Sequence, residues 1–137
     1  MIVYLDTSVI LSRFLGQSNT LSKWGDWDSA YTSTLTRVEF HRTMDRLRLD
    51  GSISDSERVA LHSHFRILWQ AAHQIPLTAP ILDRAADSFP TVVGTLDAIH
   101  LSSALAITTS GDVPTMLTHD QQLARAASSV GLDVSGV

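Results

Sequence analysis

The first fifteen residues constrain the fold more than any other stretch. Four apolar residues, Ile2-Val-Tyr-Leu5, run straight into Asp6-Thr7-Ser8, and a second apolar run follows at helical spacing up to Leu15. A short continuous apolar run ended by small polar residues reads as a buried strand. Asp, Thr and Ser ahead of a periodic run read as a helix N-cap. The chain therefore opens strand–Asp–helix, with Asp6 at the carboxyl end of a first strand. In open α/β sheets that edge is where ligands bind. Capping alone also explains an Asp at this point, so the choice between the two roles falls to the rest of the chain.

The same alternation recurs. Residues 30–33 form a weak strand, and Thr36-Arg-Val-Glu39 has the capping-box form that opens a helix running to about Asp50 and stopped by Gly51. Ser54-Asp-Ser-Glu57 repeats that form and opens a longer helix to about His73. A short turn joins the two helices into an αα-hairpin. A brief extended piece at 75–77 precedes a helix from Thr78-Ala-Pro80 to Phe89. The next helix, 96–109, carries no formal charge after Asp97, which marks it as central and buried. A strand at 115–118, a helix at 121–130 and a short strand at 132–134 complete the chain. Strands alternating with helices imply an α/β fold. It has a mostly parallel central sheet, helices on both faces and the helical hairpin inserted between the second and third strand regions. Trp24 and Trp27, in the irregular stretch after the first helix, are expected to pack on the edge of the core.

Four acids share one kind of local setting. Asp6 and Asp120 each follow an apolar strand and precede a helix, while Glu39 and Asp97 each fall in the first turn of an expected helix. Parallel strands would bring all four to one sheet edge. Each also has a purely structural role open to it: Asp6 and Asp120 as caps, Glu39 as the partner of Thr36, Asp97 as a charge at the positive end of a helix. That account is most strained for Asp97, because a buried lone carboxylate is costly unless it is paired or binds a cation, and no Lys or Arg lies between Ala85 and Leu123. A cluster of carboxylates repels itself, and a divalent cation removes the conflict. All-oxygen donors suit Mg²⁺ or Mn²⁺, which also take phosphate oxygens. The chemistry natural to such a site is phosphodiester hydrolysis.

Composition removes other classes. There is no cysteine, which excludes disulfides, thiolate zinc sites and a Cys nucleophile. The net charge of −4 argues against coating nucleic acid by bulk charge. No run is apolar and long enough to span a bilayer, and the N-terminus does not read as a signal peptide, so a cytoplasmic protein is expected. No Gly-x-Ser-x-Gly elbow, dinucleotide fingerprint or phosphate-binding loop occurs. A receiver domain would want a lysine after a late strand, and Lys23 is the only lysine. A phosphatase of the Asp-x-Asp type would want an acid at Ser8. Histidine-based zinc lacks same-face pairs, since His62 and His64 point different ways on one helix. His100 is expected to hydrogen-bond a neighbour such as Asp97. Arg42 and Arg46 follow Glu39 on nearly one helical stripe. Their two readings are pairing with Glu39 and guiding RNA phosphates.

Ile-Val-Tyr-Leu-Asp6-Thr-Ser8, Thr-Arg-Val-Glu39, Leu-Asp97-Ala-Ile-His-Leu101 and Leu-Thr-His-Asp120-Gln-Gln-Leu-Ala124, in that order, resemble the PIN domain and within it the VapC-type toxins of bacterial toxin–antitoxin pairs. The resemblance spans essentially the whole chain and implies a single PIN-like domain over residues 1–137, with the three-layer PIN-like fold. It implies a Mg²⁺- or Mn²⁺-dependent endoribonuclease whose acidic quartet is Asp6, Glu39, Asp97 and Asp120. Asp6 and Asp97 match the acids most often bound to metal, and Asp120 the position that varies most. Thr7 and Thr118 would support the site through hydroxyl hydrogen bonds. The resemblance also implies a homodimer, an RNA substrate and a small VapB-like antitoxin that blocks the cleft. The alternative from another class is a module that binds RNA or protein on this fold without cutting.

Overall fold

The computed structural model describes residues 1–108 and 111–137. Along the chain run β1 (Ile2–Leu5), α1 (Thr7–Phe14), β2 (Ser29–Ser33), α2 (Thr34–Leu49), α3 (Asp55–Ala71) and β3 (His73–Ile75), then α4 (Ala79–Ala86), α5 (Thr95–Ile107), β4 (Thr115–Leu117), α6 (Gln121–Ser129) and β5 (Val134–Ser135). The sheet order is β3-β2-β1-β4-β5, and every described pairing is parallel. The expected end of the central helix at Thr109 and the start of the following turn at Ser110 lie outside the described residues.

β1 is apolar without a break because both of its faces are covered. Val3 and Leu5 point into one core with Val9, Ile10, Phe40, Met44 and Phe65 of α1, α2 and α3. Tyr4, one residue out of phase, points into the other with Leu101, Ala104, Met116, Leu123 and Ala127 of α5, β4 and α6. Each fully buried large side chain of this kind contributes about 1.5–3 kcal/mol. From β1 the chain moves outward through β2 and β3 on one side, and β4 and β5 lie on the other. The connection order thus reverses between β1 and β4, the place beyond whose carboxyl ends open α/β sheets bind ligands. The ladder carries one step further, since the Asp6 amide donates to the Leu117 carbonyl at 3.0 Å. That bond fixes Asp6 beside the end of β4.

Several boundaries differ from the sequence expectation, each for a local reason. α2 starts at Thr34 because Ser33 caps it, its hydroxyl accepting from the Leu35 amide. Glu39 therefore sits in the second turn and is not the capping partner of Thr36, whose own hydroxyl is buried against Thr32. The second capping box forms as expected, Ser54 and Glu57 bonding reciprocally at the start of α3. α3 stops at Ala71 because His73–Ile75 is drawn into the sheet against Tyr31–Ser33. α4 ends at Ala86, short of Phe89, and the Arg84 guanidinium lies 4.2 Å over the Phe89 ring. Trp24 and Trp27 meet each other edge-to-face and pack against the first core, as expected.

Candidate active site

The strand ends and helix starts bring the four acids to one edge. Asp6 is 5% exposed and caps α1 while accepting at Oδ2 from the Ser8 hydroxyl at 2.5 Å and the Thr118 hydroxyl at 2.9 Å. Thr118 also accepts from the Asp120 amide at 3.0 Å, so one hydroxyl joins the ends of β1 and β4. Asp120 caps α6, its Oδ1 accepting from the Leu123 amide at 2.8 Å. Glu39 accepts at Oε1 from the Thr7 hydroxyl at 2.8 Å. Thr7 thus donates to Glu39 and Thr118 to Asp6.

His100 is the residue that sequence reasoning underrated. Its ring is 1% exposed. Nδ1 lies 2.8 Å from the Tyr4 hydroxyl, Nε2 lies 2.5 Å from Glu39 Oε1, and Asp6 Oδ1 is 3.6 Å from Nε2. Its ring nitrogens are therefore taken up by Tyr4 and Glu39, and the expected bond to Asp97 is not the one formed. Facing a carboxylate, Nε2 carries the proton and donates; Tyr4 then donates to Nδ1 of the neutral ring or accepts from the charged one. Burial disfavours the His100 cation, but the bond to Glu39 and the charges of Asp6, Glu39 and Asp97 outweigh it and raise its pKa. Burial likewise opposes the Glu39 anion, and the bond and charge of His100, helped by Thr7, bring its pKa below the ordinary value. The sequence signal was a lone histidine inside a charge-free helix, three residues after an acid.

Asp97 behaves differently. Among the described residues its carboxyl group receives no hydrogen bond. Its pKa rises to about 6, first from burial, then from the charges of Asp120 and Asp6 and more weakly of Glu39, with His100 acting the other way. All three other acids therefore bear on Asp97, and Asp120 is the strongest of them. Among the described residues no three acid or histidine side chains are drawn into a ready metal cage. The donor set itself is all carboxylate, with one member destabilised as an anion by the others, and this fits a hard divalent cation.

The arginines do not complete this edge as expected. Arg42 pairs with Asp45 at 2.9 Å instead of with Glu39, and Arg48 shares the same acid at 2.8 Å. Arg46 is exposed on the same face, near Asp50.

Residues 3–128 match the PIN domain family. The chain belongs to that family. Among curated relatives, it is 31% identical to Ribonuclease VapC47 of Mycobacterium tuberculosis, over 94% of this chain and 92% of the relative. It is 26% identical to Ribonuclease VapC45 of the same organism, over 98% and 94%. Among solved structures, it resembles VapBC2 from Rickettsia felis bound to a promoter DNA fragment, with TM-score 0.68, 14% identity and 98% of each chain covered. It also resembles FitAcB from Neisseria gonorrhoeae, with TM-score 0.66, 19% identity and 98% and 96% covered. At these identities the structural likeness establishes a shared fold, and the PIN-like arrangement of parallel sheet and flanking helices is that fold.

Proposed function

We propose that this PIN domain is an endoribonuclease dependent on Mg²⁺ or Mn²⁺ and the toxin of a toxin–antitoxin pair, with residues 1–137 acting as one domain. The observation that carries the reading is Asp97, a half-buried carboxylate with no hydrogen-bond donor among the described residues and three further acids bearing on it. The names of the two ribonuclease relatives and the complexes with antitoxin among the structural neighbours support the same class. Asp6, Asp97, Glu39 and Asp120 would hold the cation. When bound, it would supply charge neutralisation at the phosphate and acidify water for in-line attack.

The protein's own contribution is positional. Ser8 and Thr118 hold Oδ2 of Asp6 and leave Oδ1 3.6 Å from His100 Nε2. Thr7 and the Nε2 proton of His100 fix Glu39 at Oε1. The capping bonds of Asp6 and Asp120 aim both carboxylates from rigid helix starts, so little ordering is left for the moment a phosphodiester arrives. A small VapB-like antitoxin and a second copy of the chain are the protein partners of this reading, and the cytoplasm its compartment. Among the described residues no helix is long and apolar enough to cross a membrane.

The test is cleavage of structured and unstructured RNA with Mg²⁺ or Mn²⁺, with and without chelator. Cleavage should vanish in chelator and fall at least a hundredfold in Asp6→Asn and Asp97→Asn proteins that fold normally, the scale of a lost electrostatic contact to the reacting centre. Equal cleavage in those variants would refute the quartet. Tight RNA binding without turnover in any divalent metal would favour the non-cutting module.

A further inference from the structure

Away from the acidic edge, α2 and α3 enclose a groove of about 610 Å³. Its walls carry Arg37, Arg58, Arg66, His41, His62 and Trp69. That volume lies within the usual range of ligand sites, about 300–1,000 Å³. No carboxylate lines it, although the chain as a whole has fourteen acids against ten basic residues. The nearby acids are committed elsewhere, Asp45 to Arg42 and Arg48 and Glu57 to the capping box. Among the described residues Arg37, Arg58 and Arg66 form no ion pair.

Two details show that the positive charge is uncompensated. Arg58 Nε is buried without a hydrogen-bond partner among the described residues. Arg58 also stands in the first turns of α3, where the helix dipole disfavours a cation. His41 and His62 face each other across the two helices with ring centroids 4.8 Å apart. Two histidines alone fall short of a zinc site. Trp69 extends an aromatic stack, Phe40 on Phe65 at 4.0 Å and Phe65 on Trp69 at 5.5 Å, so a ring braced by the core borders the cationic wall.

We propose that this groove is a binding site for single-stranded RNA, its phosphates taken by Arg37, Arg58 and Arg66 and a base placed against Trp69. The inference rests on the endoribonuclease reading and adds to it a place, outside the acidic edge, that holds the substrate. Guanidinium forks beside a braced aromatic ring match the phosphate-and-stacking pattern of single-strand binding. An amphipathic partner helix would want an apolar stripe, and Val59 is the only exposed aliphatic side chain in the wall. Arg37 and Glu39, two residues apart on α2, point to different sides of that helix, so the groove is a surface separate from the acidic edge.

The test is binding of a short fluorescein-labelled single-stranded RNA in chelator across a salt series, comparing the wild type with Arg37→Ala, Arg66→Ala and Arg66→Lys, and with Arg125→Ala on α6 as control. Arg37 and Arg66 are exposed, so their loss should leave the fold intact by circular dichroism. The expected result is roughly tenfold weaker binding in each Ala variant and a log–log salt slope shallower by about 0.7 per lost phosphate contact. Arg66→Lys should recover most of the slope, and Arg125→Ala should match the wild type. Wild-type affinity and slope in both Ala variants would overturn the groove while cleavage and its dependence on Asp97 stand untouched. Loss of affinity for a protein partner with RNA binding intact would make the groove a protein interface and also overturn the proposal. Failure of the wild type to bind RNA at all in chelator would overturn the groove, and the RNA reading of the acidic edge would then stand or fall on cleavage with Mg²⁺ or Mn²⁺.

Discussion

At the scale of single residues, His100 and Asp97 pull the stability of the metal-free protein the same way. The folded pKa of His100 lies above its unfolded value of about 6.5. Its stabilisation is therefore full below about pH 6.5 and is lost as pH rises through the folded value. Glu39 has a depressed pKa, so its contribution is present above the ordinary glutamate range and is lost as pH falls through the depressed value. Asp97, raised to about 6, keeps a proton in the folded state that the unfolded chain has released, so stability falls as pH climbs from about 3.9 to about 6. In chelator the melting temperature is expected to drop between pH 6 and pH 9. His100→Gln should flatten that slope and cost roughly 1–3 kcal/mol at pH 6, because Tyr4 and Glu39 lose a buried partner. Asp97→Asn should raise metal-free stability at pH 8 by on the order of 1 kcal/mol once solvent screening is allowed for. Thermal melts over that pH range decide each case, and an Asp97→Asn protein that melts lower than wild type in chelator would contradict the repulsion argument.

At the scale of elements, the C-terminal strand supports the end of β4 beside the acidic edge. β5 lies along β4, and the Thr118 amide donates to the Ser135 carbonyl at 3.1 Å. His119 Nδ1 reaches the Gly136 carbonyl at 2.6 Å. Gly136 has φ of 107°, and a Cβ there would stand 2.5 Å from the Thr118 carbonyl oxygen. Only glycine fits this close approach. Gly136→Ala should therefore lift the C-terminal strand away from β4, cost about 1–3 kcal/mol and loosen the Thr118 hydroxyl that bridges Asp6 and Asp120. Hydrogen exchange at the Thr118 and His119 amides would report it, and unchanged protection would show that β5 has no hold on the site. Ser54→Ala, remote from that edge, removes the capping box of α3 and should cost about 1 kcal/mol in denaturant melts without touching cleavage.

For the whole molecule, charge is sorted by region. Acids gather where β1, β4 and the starts of α1, α5 and α6 meet, and arginines without an ion pair among the described residues gather between α2 and α3. A cation bound only by the folded state adds RT ln(1 + [L]/Kd), about 2.7 kcal/mol at a hundredfold excess over Kd. Protons compete for Asp97, so the Mg²⁺-induced rise in melting temperature should shrink from pH 8 to pH 5, turning over near pH 6. In Asp97→Asn the rise should be small at every pH. A pH-independent shift retained by that variant would place the cation elsewhere.

The sequence by itself determined much of this arrangement. A continuous apolar run has one stable fate in an α/β protein, a strand covered on both faces, and β1 is that strand. Asp6 and Asp120 were readable because a cap must stand at a strand–helix junction, and the carboxyl ends of parallel strands share an edge. Asp97 was readable because a charge-free helix leaves its one acid without a local partner. Pairings between distant segments were beyond local pattern. α3 was expected to reach about His73 and the extended piece to lie at 75–77, but β2 offered a hydrogen-bonding edge that draws His73–Ile75 into the sheet. Glu39 moved from a cap to the second turn because Ser33 captured the helix start. The contacts of His100 with Tyr4, Thr7 and Glu39, and the facing of His41 and His62 across two helices, join residues far apart in the chain. Such contacts depend on how elements pack, which no window of sequence contains. Asp6 was placed by its neighbours along the chain, but the hydroxyls and the imidazole that surround it were gathered only by the closing of the sheet.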